Sequence, residues 1–470
     1  MSVTLAFLND ATRLHCSPAY WMGSMQHNIT TQAAPRVSQL SAPAAPYTRQ
    51  SPGVRMPVLA AGLLILVFVG RVQELFPVLA PLRLGLVALV VNALVLLATL
   101  DLTDFRFKMR ILPQPRLLFV ILVLALLTVP FSVWPGGSWG FISNSYLKNI
   151  FAFFVLLLVM KDERDIRGIV FAGLLSVFLI GTLGMLGHAG GRLQISSTYD
   201  PNDIAYLMNC FIPLAFYLSR SGGKIRMACC YLMMALMIVV VISTASRGGF
   251  VGLASIFVII LLKERQKKLK ILVLSIFVVF TALSFAGPEY WQRMGTIVDE
   301  SDYNYQAGGG RIELWKRGLG MIIDNPLIGA GMGQYQVAEG LLHKGQGGWK
   351  WSTAHNSYLQ IGVELGLPGL IVYLMMLAKS IVVARKLQIT PNPFDGSPFL
   401  QSTVSGLEVG FYGYCISSIF LSQAYSSVLF YFLALITALC ALSLRMQAPE
   451  DHELVAGKSR PKLSLRKPYA

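Results

Sequence analysis

Met227–Thr244 reads MACCYLMMALMIVVVIST, an apolar run without a charged residue, preceded by Lys224 and Arg226 and followed by Ser246-Arg247. As a helix it extends about 27 Å at ~1.5 Å per residue, close to the ~30 Å hydrocarbon core of a bilayer. Comparable blocks occupy approximately 57–76, 80–100, 116–134, 146–160, 166–187, 204–218, 248–262, 271–286, 357–378, 404–421 and 427–444. Of the 470 residues only 13% are charged and 54% are hydrophobic, with a mean hydropathy of +0.59. Soluble domains carry about a quarter charged residues. The pattern predicts an all-α integral membrane protein of about twelve transmembrane helices. Ser246-Arg247 is the polar break within 227–262, and that region can also be divided differently.

The connections between blocks alternate in charge. One class is basic: Arg106, Lys108, Arg110 and Arg116; Lys161, Arg164 and Arg167; Arg220, Lys224 and Arg226. It continues with Lys263, Arg265, Lys267, Lys268 and Lys270, with Lys379, Arg385 and Lys386, and with the tail from Arg445 to Lys467. The other class is nearly free of Lys and Arg. Cytoplasmic loops retain these residues, so both termini are expected in the cytoplasm. The net charge of +16 follows from this distribution and does not point to nucleic acid.

Five regions follow. Residues 1–55 form a polar extension, expected to be disordered and lacking the apolar core of a signal peptide. Transmembrane helices 1–9 fall in 56–286, and helices 10–12 in 356–445. Between them, 287–355 is one large outward-facing loop, with Gly308-Gly309-Gly310 and the amphipathic stretch Ile312–Leu319. Residues 446–470 are a basic cytoplasmic tail. The six cysteines, Cys16, Cys210, Cys229, Cys230, Cys415 and Cys440, have no metal-ligand spacing and read as packing residues.

Once the orientation is set, four polar clusters share the outward face. Asp200-Pro201-Asn202 stands before the sixth block, with Arg192 upstream; Asp and Asn before Pro also make a helix cap. Ser246-Arg247-Gly248 places an arginine where lipid makes one costly, about 2.5–3.5 kcal/mol at mid-membrane. Such a side chain either faces a cavity or substrate, or snorkels to the headgroups. Arg311 follows three glycines that allow close backbone approach to an anion, and Trp315 follows one turn later; an exposed loop arginine is the plain alternative. His355-Asn356-Ser357-Tyr358 opens the tenth block, where histidine either caps and packs or accepts a proton near neutral pH. Two guanidiniums and an imidazole suit displacement of a diphosphate by an alcohol, and no acidic cluster has metal spacing.

These residues resemble the O-antigen ligase and O-antigen polymerase superfamily of bacterial envelope glycan transferases. The resemblance rests on Ser246-Arg247-Gly248, Gly310-Arg311 with Trp315, Asn325-Pro326-Leu327-Ile328-Gly329-Ala330-Gly331-Met332-Gly333, His355-Asn356-Ser357-Tyr358-Leu359, and Glu364-Leu365-Gly366-Leu367-Pro368-Gly369. The Asp200-Pro201-Asn202 element also looks like this group. It implies a multi-pass protein of the bacterial inner membrane with a large periplasmic loop. It also implies metal-independent, cofactor-free, inverting transfer of a glycan from an undecaprenyl-diphosphate carrier. Arg247 and Arg311 would hold the diphosphate and His355 would activate the acceptor hydroxyl. Arg192, Asp200, Asn202, Ser246, Trp315, Asn356 and Tyr358 would line the substrate site. The acceptor is lipid A-core for a ligase, a second lipid-linked glycan for a polymerase, or a protein for an O-glycosylating relative. A polysaccharide flippase or transporter is the rival from another class, although its polar groups would gather near the midplane.

Overall fold

The computed structural model describes residues 55–447 except 189, 196–199, 265–309, 346–350 and 390–391; within 265–309 only Ile276, Phe280, Trp291 and Gly295 are described. The expected disordered extension, the expected helix at 271–286, the basic tail beyond residue 447 and much of the large outward loop therefore lie outside the described residues. All described residues belong to one compact unit, Ala42–Ala470.

Among the described residues the regular structure is helical, with no strand. In order the main helices are α1 (Met56–Phe68), α2 (Leu84–Thr99), α3 (Leu102–Ile111), α4 (Pro113–Thr128), α5 (Pro135–Val159) and α6 (Glu163–Leu186). There follow α7 (Pro201–Leu218), α8 (Lys224–Ser243), α9 (Arg247–Lys263), α10 (Arg311–Asp324), α11 (Tyr335–Leu342), α12 (Ser357–Lys386), α13 (Pro398–Ser417) and α14 (Ser427–Met446). Each apolar block inside the described residues coincides with a helix. Among the described residues, six helices are long and apolar enough to cross a membrane: α4 with its 3-10 extension to Phe131, α5, α6, α8, α12 and α14. A seventh is reached if α2 and α3, which meet at 105°, are taken as one bent span.

Two of the expected spans among the described residues fall short of this test for local reasons. α1 stops at Phe68, just before Arg71 adopts a left-handed backbone with φ 47°; a 3-10 turn then runs from Pro77 to Leu82. α7 contains Asn202, Asp203 and Asn209, which lower its hydropathy. Yet every residue from Ile204 to Leu218 is buried, because α6, α8, α9 and α13 surround this helix. It sees protein rather than lipid, and Asn209 Nδ2 finds its acceptor on a neighbouring helix, donating to Gly249 O at 2.9 Å.

α13 lies against α7 through Gly406 and Gly410. A Cβ at Gly406 would stand 2.8 Å from Leu214 Cα, and one at Gly410 would stand 2.5 Å from Cys210 O. Small residues four apart let two backbones approach to this distance.

The basic connections meet one another at one end of the bundle. Arg55 pairs with Asp162 at 2.7 Å and with Asp165 at 3.1 Å, and Arg220 pairs with Glu264 at 2.7 Å. Glu408 is bound by Lys263 and, at 3.2 Å, by Arg385, while Asp104 is held between Lys108 and Arg445. The four polar clusters lie at the other end.

There, the glycine-rich turn 325–333 is keyed into a break in α12. Gly366 has φ 65° and interrupts the helix; Gly329 has φ 71°. A Cβ at Gly329 would meet Val363 O at 2.6 Å, and one at Gly366 would meet Pro326 O at 2.6 Å. Ala330 N donates to Val363 O at 2.7 Å and Leu367 N to Pro326 O at 2.7 Å. The glycines in both stretches are there because a side chain has nowhere to go.

Candidate functional site

Ser246 joins two helix starts. Its hydroxyl caps α9, accepting from the Gly249 amide at 3.0 Å, and donates to Asn202 Oδ1 at 2.7 Å. Asn202 lies in the first turn of α7, which Asp200 caps: Asp200 Oδ1 accepts from the amides of Asn202 at 2.6 Å and Asp203 at 3.0 Å. This contact needs α7 and α9 nearly touching, and glycine makes that possible. A Cβ at Gly249 would lie 2.5 Å from Ala205 Cβ, and one at Gly252 would lie 2.6 Å from Asn209 Nδ2.

Asn202, Ser246, Gly248 and Gly249 line a narrow crevice with Tyr206, Arg311, Ser417, Phe420 and Leu421. The starts of α7, α9 and α10 therefore converge on it. Arg247 and Arg311 are the first residues of α9 and α10. Each helix start carries roughly half a positive charge, which favours an anion, and Arg311 adds its side chain to the crevice lining. Arg192 fastens the segment before α7 to this turn, donating from Nε to Thr244 O at 3.1 Å.

His355 is tied to the same assembly through α10. Trp315, one turn beyond Arg311, donates its indole N–H to Ala354 O at 3.1 Å. His355 has a left-handed backbone, φ 46°, and its Nε2 lies 3.4 Å from Thr353 Oγ1. Ala245, just before Ser246-Arg247, has the same φ of 46°. Both strained residues immediately precede helix caps at this end of the bundle, and such strain persists only where the surroundings impose it.

Three of the expected substrate residues are engaged elsewhere. Asn356 caps α12, accepting from the amides of Tyr358 at 2.9 Å and Leu359 at 3.0 Å. The Tyr358 hydroxyl donates to Cys415 O at 2.8 Å, and Trp315 is held by Ala354. These side chains shape the framework around the crevice.

Sequence reading did not single out Gln423, which braces the crevice. Gln423 donates to Asp203 Oδ1 at 2.6 Å from its side chain and to Ser357 Oγ at 2.8 Å from its backbone. Ser357 Oγ in turn donates to Leu421 O at 2.7 Å. This chain ties the starts of α7 and α12 to the loop after α13, and no spacing in the sequence announces it. Glu364 is also central: it accepts from Gly333 N at 2.8 Å, Tyr335 N at 3.3 Å and the Tyr425 hydroxyl at 2.7 Å. Between the crevice and α12, Arg317 of α10 meets Glu339 of α11 at 3.0 Å with both buried, and burial pushes the Tyr335 hydroxyl well above its ordinary value. Neutral Tyr335 donates to Leu314 O at 3.1 Å, locking α11 to α10. Among the described residues, no group of three His, Cys, Asp or Glu is placed to hold a metal ion.

Residues 232–374 match the O-antigen ligase family. This segment is an O-antigen ligase domain. It runs from α8 through α9, α10 and α11 into α12, and so contains Ser246, Arg247, Arg311, Trp315 and His355. Arg192, Asp200 and Asn202 lie outside the match, and the Asn202–Ser246 hydrogen bond is what joins them to it. No curated protein matches the chain. In a chain with several apolar helices, this match implies a glycan transferase of the O-antigen ligase or polymerase type.

Proposed function

We propose that this chain transfers a glycan from an undecaprenyl-diphosphate carrier to an acceptor hydroxyl at the periplasmic face of the bacterial inner membrane. The observation that carries this reading is the convergence of three helix starts and Arg311 on one crevice, beside Asn202 and Ser246. In the ligase domain such a concentration of positive charge suits a diphosphate. Arg247 and Arg311 hold its oxygens. His355 takes the acceptor's hydroxyl proton as the oxygen attacks the anomeric carbon from the side opposite the diphosphate. The bond from that carbon to the diphosphate oxygen breaks, its electron pair leaves with undecaprenyl diphosphate, and the configuration inverts. The arginines act most strongly on the charge that builds on the departing oxygen.

The direct test incubates the purified protein with an undecaprenyl-diphosphate glycan and, separately, lipid A-core, a second lipid-linked glycan and a protein acceptor. Glycan joined to one of them, with release of undecaprenyl diphosphate, is the expected result and names the acceptor. Movement of a labelled carrier across proteoliposomes with no transfer to any acceptor would identify a transporter instead.

A further inference from the structure

The described residues also line an open cavity of about 200 Å³ at the end of the bundle opposite the crevice. It exists because α2 and α3 meet at 105°, so that α3 lies across the end of α5. Lys108 of α3 anchors it there, donating to Leu157 O at 2.7 Å and Met160 O at 3.1 Å. The walls are apolar at Leu96, Leu100, Leu158 and Val159, and charged elsewhere.

Most of those charges are already matched. Asp104 is held by Lys108 and Arg445, and Asp165 by Arg55. Two charges of opposite sign, which attract each other through space, make no direct ion pair among the described residues. Exposed Asp101 uses Oδ1 to cap α3, accepting from the amides of Thr103 at 2.9 Å and Asp104 at 3.2 Å, while its Oδ2 makes no hydrogen bond among the described residues. Lys161 lines the same cavity, and among the described residues its ammonium makes no ion pair. A site offering one carboxylate and one ammonium beside apolar walls matches a zwitterion carrying an acyl chain.

We propose that this cavity binds the head group of phosphatidylethanolamine. Its ammonium donates to Asp101, its phosphate accepts from Lys161, and the start of its chains lies on Leu96 and Leu100. The volume falls below the roughly 300–1,000 Å³ of pockets that take drug-sized ligands, which disfavours a glycan or nucleotide sugar and suits a head group. Phosphatidylcholine has no N–H to give Asp101, and phosphatidylglycerol has no cation. Leu94 and Leu97 on the same helix are 62% and 76% exposed, a surface along which acyl chains would run.

The test is native mass spectrometry of the full chain, titrated with phosphatidylethanolamine, phosphatidylcholine and phosphatidylglycerol of identical acyl chains. Wild-type protein is expected to retain phosphatidylethanolamine roughly ten- to a hundredfold better than the others, the worth of one charge-assisted hydrogen bond. Asp101→Asn keeps a good cap for α3, so the protein should melt as before while the preference over phosphatidylcholine disappears. Lys161→Gln should weaken phosphatidylethanolamine by a similar factor. Equal retention of all three lipids, or an undiminished preference in both variants, overturns the proposal. Glycerophosphoethanolamine separates the lipid from its free head group: lacking acyl chains, it should not displace the lipid at equal concentration. If it competes equally, the assignment to a lipid fails.

Discussion

His355 holds a left-handed backbone with φ 46° at the residue before the Asn356 cap. A non-glycine residue there costs about 1–2 kcal/mol, so a residue serving only to pack would be better replaced by glycine. His355→Gly is therefore expected to stay within about 1 kcal/mol of wild-type stability, relief of strain offsetting the more flexible unfolded chain. If His355 is the base, transfer should fall by about 10²–10⁴ while donor binding persists. Thermal melting, donor binding and transfer measured on one preparation separate the roles; unchanged transfer would remove His355 from the chemistry. Arg311 makes a different demand. Lysine keeps its charge but loses the fork, and each charge-assisted bond lost costs about 1.5–3 kcal/mol, roughly ten- to a hundredfold in donor affinity. Arg311→Lys with wild-type donor affinity would show that the guanidinium does not grip the diphosphate.

Between helices, glycine decides how the crevice is assembled. Gly249→Ala would place a Cβ 2.5 Å from Ala205 Cβ and force α9 away from α7, parting Ser246 from Asn202. Overpacking of this kind typically costs 1–3 kcal/mol. Transfer should drop, and Ala205→Gly in the same chain should restore part of it by removing the opposing methyl group. A double-mutant cycle with no such recovery would mean that the contact between these helices does not control the crevice. At α13, Gly410→Leu meets Cys210 O and the Phe432 ring, with the bare Cβ already at 2.5 Å and 3.1 Å. Neither neighbour is the free end of a flexible chain, so lower abundance and earlier melting are expected without any change confined to donor binding.

At the scale of the whole molecule, the two ends of the bundle divide the labour: ion pairs among the basic connections at one, the crevice at the other. The topology that puts the crevice in the periplasm predicts cytoplasmic signals from reporters fused near 225 and 384, and a periplasmic signal near 345. A cytoplasmic signal at 345 would place Arg311 and His355 on the wrong side for a lipid-linked donor. That the ends differ was legible in the charge alternation, since Lys and Arg are sorted along the chain itself. The central position of α7 was not legible, because hydropathy measures suitability for lipid and this helix is surrounded by protein.

The sequence by itself determined that the chain is helical and membrane-bound, and that Arg247, Arg311 and His355 stand in an O-antigen ligase segment. These properties are local: apolar run length, charge placement and short motifs persist however the helices are arranged. Only the tertiary structure decided which partners those motifs meet. Asn202 finds Ser246 forty-four positions away, Gln423 bridges Asp203 and Ser357, and Trp315 holds the carbonyl before His355. Such contacts depend on how closely two backbones approach. That distance is set by pairs of facing residues, Gly249 with Ala205 or Gly329 with Gly366, which no single stretch of sequence contains.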